Sequence, residues 1–334
     1  MAEGGPSIAV LVPCLNEEST IATVVRSFHE ALPSSTIYVY DNNSTDRTAE
    51  VASLAGAVVR SATLRGKGNV VRRMFAYVEA DVYLLVDGDA TYDAGTAQEL
   101  VDLVLLGGND LVNARRVATE SSSYRRGHVV GNRFLAGLVG LLFAGPVSDM
   151  LSGYKAMSRR FVKSCPVLAT GFEVEAELAV SALELGVPVA ETPSMYRERG
   201  AGSSSKLSTS RDGLRILATV VRLLRYGRPL LFFGTVGLVL LVAALVLGIP
   251  LLPTYMQTHK VPRFPTAILA TGLVILSTLS FAVGLVLDNV TRARREARLL
   301  RYLEVAGPLR HYSVDVGASN AVASNVGASN VGAS

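Results

Sequence analysis

Short apolar runs recur along the first half of the chain, each ending in a polar loop. Ile8 to Val12 is closed by Pro13 and followed by Cys14-Leu15-Asn16-Glu17-Glu18-Ser19-Thr20. Ile21, Val24, Val25 and Phe28 then recur at helical spacing through His29. The unit repeats. Ile37 to Tyr40 predicts a strand, Asp41-Asn42-Asn43-Ser44-Thr45-Asp46 a loop, and Arg47 to Leu54 a helix with Asp46 as its N-cap. Val58-Val59 opens a third strand, followed by Arg65-Gly66-Lys67-Gly68-Asn69 and a helix to Ala80. Val82 to Val86 is a fourth apolar run, buried on both faces by its composition, and it delivers Asp87-Gly88-Asp89. Strands alternating with helices predict an α/β fold with a mostly parallel, right-handed sheet. Ligands of such sheets collect beyond the carboxyl ends of the strands, where all these loops should meet.

The pattern continues less regularly. Leu111 to Arg116 reads as a strand with a basic exit, 118–128 as a mobile Ser- and Arg-rich loop, and Gly131 to Phe143 as an apolar helix. A helix is expected from Gly171 to Leu185 and a short strand at Val187 to Ala190, before a flexible basic stretch, 196–207. From Thr209 to Arg228, Leu214, Leu217, Val221 and Leu224 form one stripe, with Arg211, Arg215, Arg222 and Arg225 outside it. This suits a helix lying on an anionic membrane surface, the alternative being a docking helix of the soluble domain.

Pro229 to Leu252 and Phe264 to Leu287 carry no charge, and each exceeds the roughly 20 residues needed to cross a bilayer. Arginines flank the pair on both outer sides, so the positive-inside rule places both flanks, and the α/β domain, in the cytoplasm. The expected organisation is an α/β domain at 1–207, an amphipathic juxtamembrane helix at 208–228, two transmembrane helices within 229–288, and a basic cytoplasmic segment with a low-complexity tail at 289–334. The location is a cell membrane, crossed more than once.

Composition agrees. Hydrophobic residues make up 49% of 334, the mean hydropathy is +0.36 and the formal charge is +4. A basic face beside apolar spans fits anionic lipid or phosphate rather than nucleic acid. The two cysteines, Cys14 and Cys165, have no metal-ligand spacing and no expected disulfide, and the four histidines are scattered. Met1 to Ser7 predicts no cleaved signal peptide.

Two carboxylates one residue apart at a strand end, Asp87 and Asp89, can grip one Mg²⁺ or Mn²⁺, hard cations that take oxygen ligands and commonly keep phosphate among them. An exposed turn offers the same pattern, so the neighbouring loops decide its meaning. Asp41 can accept hydrogen bonds from a base or ribose. Lys67 and its flanking glycines can approach a phosphate. Arg115, Arg199 and Lys206 can neutralise more phosphate charge.

Val12-Pro13-Cys14-Leu15-Asn16-Glu17-Glu18, Asp41 to Asp46, Arg65-Gly66-Lys67-Gly68, Asp87-Gly88-Asp89, Ser152-Gly153-Tyr154-Lys155 and Ser205-Lys206-Leu207 occur in that order over about 7–207. In this set the chain resembles the family 2 glycosyltransferases, in particular the dolichol-phosphate mannose synthase and polyprenyl-phosphate glycosyltransferase branch. The resemblance implies a GT-A fold, a nucleotide-diphosphate sugar donor (UDP- or GDP-linked), a divalent cation, inversion at the anomeric carbon, a polyprenyl phosphate acceptor and a homo-oligomer, a tetramer in bacterial members. It implies that Pro13, Asn16, Glu17, Asp41, Lys67, Asp87 and Gly88 bind the nucleotide sugar and that Asp87 and Asp89 hold the metal. Arg115, Arg126, Arg199, Ser205 and Lys206 fall near phosphate- or acceptor-binding positions. Asp89, Asp149, Arg199 and Lys206 are the candidate catalytic residues, Asp149 as base if one is used. The branch often has a second Asp where Asn42 stands, and its mannose synthases a Gln where Thr91 stands, so neither mannose nor guanine is assigned. An acceptor that is a lipid alcohol or glycan, and a non-catalytic nucleotide-sugar-binding subunit, are the alternatives. Processive synthases use a Gln-x-x-Arg-Trp motif, and this chain has no Trp.

Overall fold

The computed structural model describes residues 5–118, 148–171, 173–197, 227–261 and 263–307. The expected helix at 131–143, all but the last two residues of that at 209–228, and the tail from 308 lie outside these, as do Arg126, Arg199, Ser205 and Lys206. The elements in chain order are β1 (Ile8–Cys14), α1 (Ile21–Ala31), β2 (Thr36–Asp41), α2 (Thr48–Leu54), β3 (Val58–Ser61), α3 (Lys67–Tyr77), β4 (Val82–Leu85), α4 (Ala97–Leu105) and β5 (Leu111–Ala118). They continue with β6 (Lys155–Ser158), α5 (Arg159–Ser164), α6 (Val174–Leu185), β7 (Val189–Tyr196), α7 (Pro229–Gly248), α8 (Leu251–Thr258) and α9 (Phe264–Glu304).

The strands form one seven-stranded sheet in the order β3-β2-β1-β4-β6-β5-β7. β1 to β4 pair in parallel, as the alternating units predict, and β5 pairs in parallel with β7. β6 runs antiparallel to both β4 and β5. This strand, α4 and α5 were not anticipated from the pattern, and β7 runs to Tyr196 rather than ending near Ala190. The helix after β2 opens at Thr48 instead of Arg47. Asp46 nevertheless accepts a hydrogen bond from the Thr48 amide at 3.0 Å and does a cap's work from one residue further out.

The period-2 alternation of β1 divides the core. Val10 and Val12 turn to the face covered by α1 and α4, with Phe28, Leu100, Val101 and Val104. Ala9 and Leu11 turn to the opposite face with Val71, Met74, Phe161 and Leu178, from α3, α5 and α6. Tyr302 near the end of α9 joins this second core.

Two helical stretches, Pro229–Thr258 and Phe264–Glu304, are long and apolar enough to cross a membrane. Both begin with proline at the first or second helical position, where its missing N–H has no intrahelical duty. α7 and α9 pack closely: Ser277 donates to the Gly237 carbonyl at 2.7 Å and Ser280 to the Phe233 carbonyl at 2.8 Å. A side chain at Gly237 would strike the Phe281 ring. Small residues and hydroxyl-to-carbonyl bonds of this kind bring helices together where no hydrophobic gradient exists.

α9 continues well past the expected end at 288. A helix of 41 residues is roughly 60 Å long, about twice the hydrocarbon thickness. Its charged end returns to the α/β domain. Arg298 pairs with Glu184 of α6 at 2.6 Å, and Tyr302 donates to Asp110 at 2.7 Å. Asp110 is fully buried and also accepts from Ser158 at 2.6 Å and from Arg160 at 2.6 and 2.9 Å, while Arg160 lies 4.8 Å over the Tyr302 ring. Tyr302→Phe removes one donor from a buried carboxylate and should lower stability by about 1.5–3 kcal/mol, read by denaturant unfolding of detergent-solubilised protein; an unchanged midpoint would show that this tether contributes nothing.

Candidate active site

Strand register assembles the site. Cys14 pairs with Asp41 across β1 and β2, and Leu11 with Leu85 across β1 and β4. The loops after β1, β2 and β4 therefore leave the sheet at one edge. Because β6 is antiparallel, its beginning lies at that edge too. Leu85 pairs with Lys155, and Gly153 accordingly comes level with Asp87. The fit is close: a Cβ on Gly153 would lie 2.3 Å from Asp87 Oδ2. The Gly153 amide donates to the Tyr92 hydroxyl at 2.7 Å.

The first two loops are stitched together by short polar side chains. Asn16, in the left-handed region at φ 56°, accepts from the Thr45 amide at 2.8 Å, and its own amide donates to Ser44 Oγ at 2.9 Å. The Glu17 amide donates to Thr48 Oγ1 at 2.9 Å, and Thr20 Oγ1 donates to the Gly88 carbonyl at 2.7 Å. Asp41 accepts from the Ser44 amide. Pro13 stands within β1 beside Tyr40. A Cβ on Gly88 would meet Cys14 Sγ at 2.6 Å, so glycine lets the acidic loop lie on the first strand. Burial raises the Cys14 thiol well above its usual range, with Glu17, Asp41, Asp87 and Asp89 adding to the rise, which keeps it an inert hydrophobe.

Asn42 stands where the family often has Asp, and the structure gives the reason. Its amide nitrogen donates to the Ala62 and Leu64 carbonyls, both at 2.8 Å, and its oxygen accepts from the Gly66 amide at 2.8 Å. A carboxylate can make only the last of these bonds. Thr91, in the place of the mannose synthases' Gln, holds Asp89: its hydroxyl donates to Asp89 Oδ1 at 2.6 Å and its amide at 3.2 Å.

Lys67 is turned inward. Its ammonium contacts both Asp87 Oδ1 and Glu175 Oε1, with side-chain exposures of 9% for Lys67, 26% for Asp87 and 6% for Glu175. Burial opposes the charge on Lys67, but the two carboxylates outweigh it and hold the ammonium above its usual range. Burial likewise raises Glu175, against the pull of Lys67. The glycines on either side of Lys67 face protein: a Cβ on Gly66 or Gly68 would collide with the Thr170 or Ala169 carbonyl.

Asp149 is buried and gripped by Arg116, with Nε at 2.7 Å and Nη2 at 2.8 Å. Arg115, the neighbour singled out from sequence, is exposed. Below Asp149 lies a buried polar layer: Lys155 donates to Asn113 Oδ1, and Asn113 donates to the Asp149 carbonyl and to Glu191, each at 2.8 Å. Burial pushes the Lys155 ammonium down to about 8, although Asp149, Glu175 and Glu191 pull the other way. Arg116, Asn113 and Glu191 carry no local sequence signal, since their partners are remote along the chain.

A cleft of about 420 Å³ opens beside Asp87, lined among others by Ala90, Tyr92, Asp93 and Arg197. Among the described residues, no group of three or more His, Cys, Asp or Glu side chains is placed to hold a metal. Asp87, which lines this cleft, and the buried Asp89 two residues on supply hard carboxylate oxygens from one loop. They fit a cation that completes its shell with phosphate oxygens or water, the habit of Mg²⁺ and Mn²⁺.

A family model described as Glycosyl transferase family 2 matches residues 9–165. Glycosyltransferase AglJ of Haloferax volcanii is 32% identical over 232 residues, 69% of this chain and 76% of that protein. The dolichyl-phosphate hexose transferase of the same organism is 28% identical over 216 residues, 64% and 92% of the two chains. Among solved structures, Mycobacterium tuberculosis glucosyl-3-phosphoglycerate synthase in complex with Mn²⁺, uridine diphosphate and phosphoglyceric acid superposes with a TM-score of 0.54. It is 28% identical and covers 66% of this chain and 78% of its own.

Two substitutions test this geometry. Asn42→Asp forfeits two buried donor bonds and sets a carboxylate against two carbonyls, and should destabilise by about 2–4 kcal/mol in denaturant unfolding. Gly153→Ala should leave the fold intact by circular dichroism yet weaken Mn²⁺ binding roughly tenfold or more, because disturbing the groups that orient a metal-ligating carboxylate typically costs about 10–100-fold in affinity. Normal Mn²⁺ affinity in that variant would dissociate Gly153 from the acidic loop.

Proposed function

The chain belongs to glycosyl transferase family 2, and from that premise we propose that it moves one sugar from a nucleoside-diphosphate donor to a polyprenyl phosphate at the cytoplasmic face of a membrane, inverting the anomeric centre. The observation that carries the lipid acceptor is α9, apolar through its first half and seated by Tyr302 in the core of the α/β domain. A transferase anchored by a rigid helix works at a fixed height above the bilayer, where a lipid phosphate is presented. The similarity to a dolichyl-phosphate hexose transferase supports the same acceptor.

Asp87 and Asp89 would hold Mg²⁺ or Mn²⁺, which when bound supplies positive charge to the departing diphosphate. Pro13, Asn16, Glu17 and Asp41 line the edge on which the nucleoside would rest. Arg115, Arg126, Arg199, Ser205 and Lys206 are proposed for phosphate groups of donor and acceptor. Asp149 is paired bidentately with Arg116. Protonating it would forfeit that ion pair, so it suits orientation better than proton abstraction. A phosphate acceptor is already ionised at neutral pH and needs no strong base, only alignment. The proposed organisation keeps 1–207 as the transferase unit, 208–228 as an interfacial helix and 229–288 as the spans, in a homo-oligomer.

The deciding experiment offers purified protein Mn²⁺ and radiolabelled UDP- and GDP-sugars with a short polyprenyl phosphate, in parallel with phosphoglyceric acid. Label should pass into organic solvent with the lipid, and Asp89→Asn should reduce the rate about 100-fold or more. Label in phosphoglycerate but not in lipid would overturn the acceptor, and full activity of Asp89→Asn would overturn the metal assignment.

A further inference from the structure

Glu175 Oε2 is enclosed and has no hydrogen-bond partner among the described residues, although its twin Oε1 contacts Lys67. A buried carboxylate oxygen left without a partner is costly and calls for an explanation in the working of the molecule. The same ammonium that occupies Oε1 also occupies Asp87 Oδ1. On the far side, the Asp87 Oδ2 face is walled by Gly153. The face of Asp87 on which a divalent cation can compete is therefore already neutralised by a lysine.

We propose that Lys67 is a resident counter-ion of Asp87, that a divalent cation displaces it, and that Glu175 receives it. The inference rests on the reading of Asp87 and Asp89 as cation ligands. A double positive charge on Asp87 repels an ammonium in contact with the same carboxylate, the more strongly because the surroundings are poorly hydrated. The ammonium does not have to leave the protein. It has three donors, and the unpartnered Oε2 is the next acceptor on the carboxylate it already touches. Moving wholly onto Glu175 satisfies that oxygen and frees Asp87 Oδ1. The position of Glu175 in the first turn of α6 favours its negative charge throughout.

The arrangement makes cation and donor interdependent. A cation arriving alone must displace Lys67 with no new anion to balance the added charge. A nucleoside diphosphate would bring that balance, because its phosphates carry negative charge and can complete the oxygen shell of the cation. Binding of either ligand then strengthens binding of the other by the same factor.

Mn²⁺ binding to the full-length protein, followed by electron paramagnetic resonance with and without UDP, tests this without turnover. The wild type should bind Mn²⁺ at least tenfold more tightly with UDP than without it. Lys67→Met should bind Mn²⁺ alone at least tenfold more tightly than the wild type and lose most of the enhancement by UDP. Glu175→Gln, which leaves Lys67 no carboxylate but Asp87, should bind Mn²⁺ alone at least tenfold more weakly. The double variant Lys67→Met/Glu175→Gln carries no buried charge at either position; it should behave as Lys67→Met does, and it decides the matter if the single variant fails to fold. Mn²⁺ affinity that is unchanged or weakened when Lys67 is removed, while Asp89→Asn abolishes binding, overturns the counter-ion role alone. Undiminished binding in Asp89→Asn overturns the ligand assignment and this proposal with it.

Discussion

The ammonium of Lys67 holds together three segments far apart in sequence: the start of α3, the end of β4 and the start of α6. Without it, Asp87 and Glu175 would be two carboxylates converging in a poorly hydrated place, and removing one partner from such a group typically costs about 3–5 kcal/mol. The surrounding backbone is arranged to the same end. The glycines beside Lys67 let α3 begin against the 169–171 backbone, where the Gly68 amide donates to the Gly171 carbonyl at 3.1 Å. Arg72 and Glu177 grip 167–169 from either side, through carbonyls and amides respectively. The segment leading into α6 is thus fixed before it delivers Glu175.

A second charged group does the corresponding work at the opposite edge of the sheet. Asp110 precedes β5, where it gathers Ser158, Arg160 and Tyr302. One end of the sheet is joined to a helix long enough to cross a bilayer, while the other carries the acidic loop. The strands between them are short and packed on both faces, so the distance from helix to loop is set by a close-packed interior of low compressibility.

Much of this was legible in the sequence, for reasons that also mark where legibility ended. The first four strands announce themselves because each is a local apolar run ended by a polar loop, and parallel pairing then brings the loops to one edge. The apolar helices are equally local signals. β6 escaped because Lys155-Ala156-Met157-Ser158 opens with a lysine made tolerable inside the sheet by partners remote in sequence, Asn113 by a hydrogen bond and Asp149, Glu175 and Glu191 by their charge. At a helix start, the sequence allows Glu175 to be either an exposed structural acid or one that orients acceptor or sugar; its burial follows from Lys67, 108 positions away. Arg116 and Arg115 are indistinguishable in sequence, yet successive residues of a strand face opposite ways, and Arg116 is the one that reaches Asp149. Pattern locates the elements, whereas pairing between remote charges decides which of their polar residues turn inward.

The two positions at which the chain departs from its family's usual residues follow from the same distinction. Asn42 answers two carbonyls and one amide of its own chain, and Thr91 fixes one oxygen of Asp89. Each side chain is committed to neighbouring protein groups and buried by them. Their identities therefore report on how the loops after β2 and β4 are braced, and not on the choice of a ligand. The cleft beside Asp87 is lined by other side chains, Asp93 and Arg197 among them, and it is their replacement that would change what a ligand meets there.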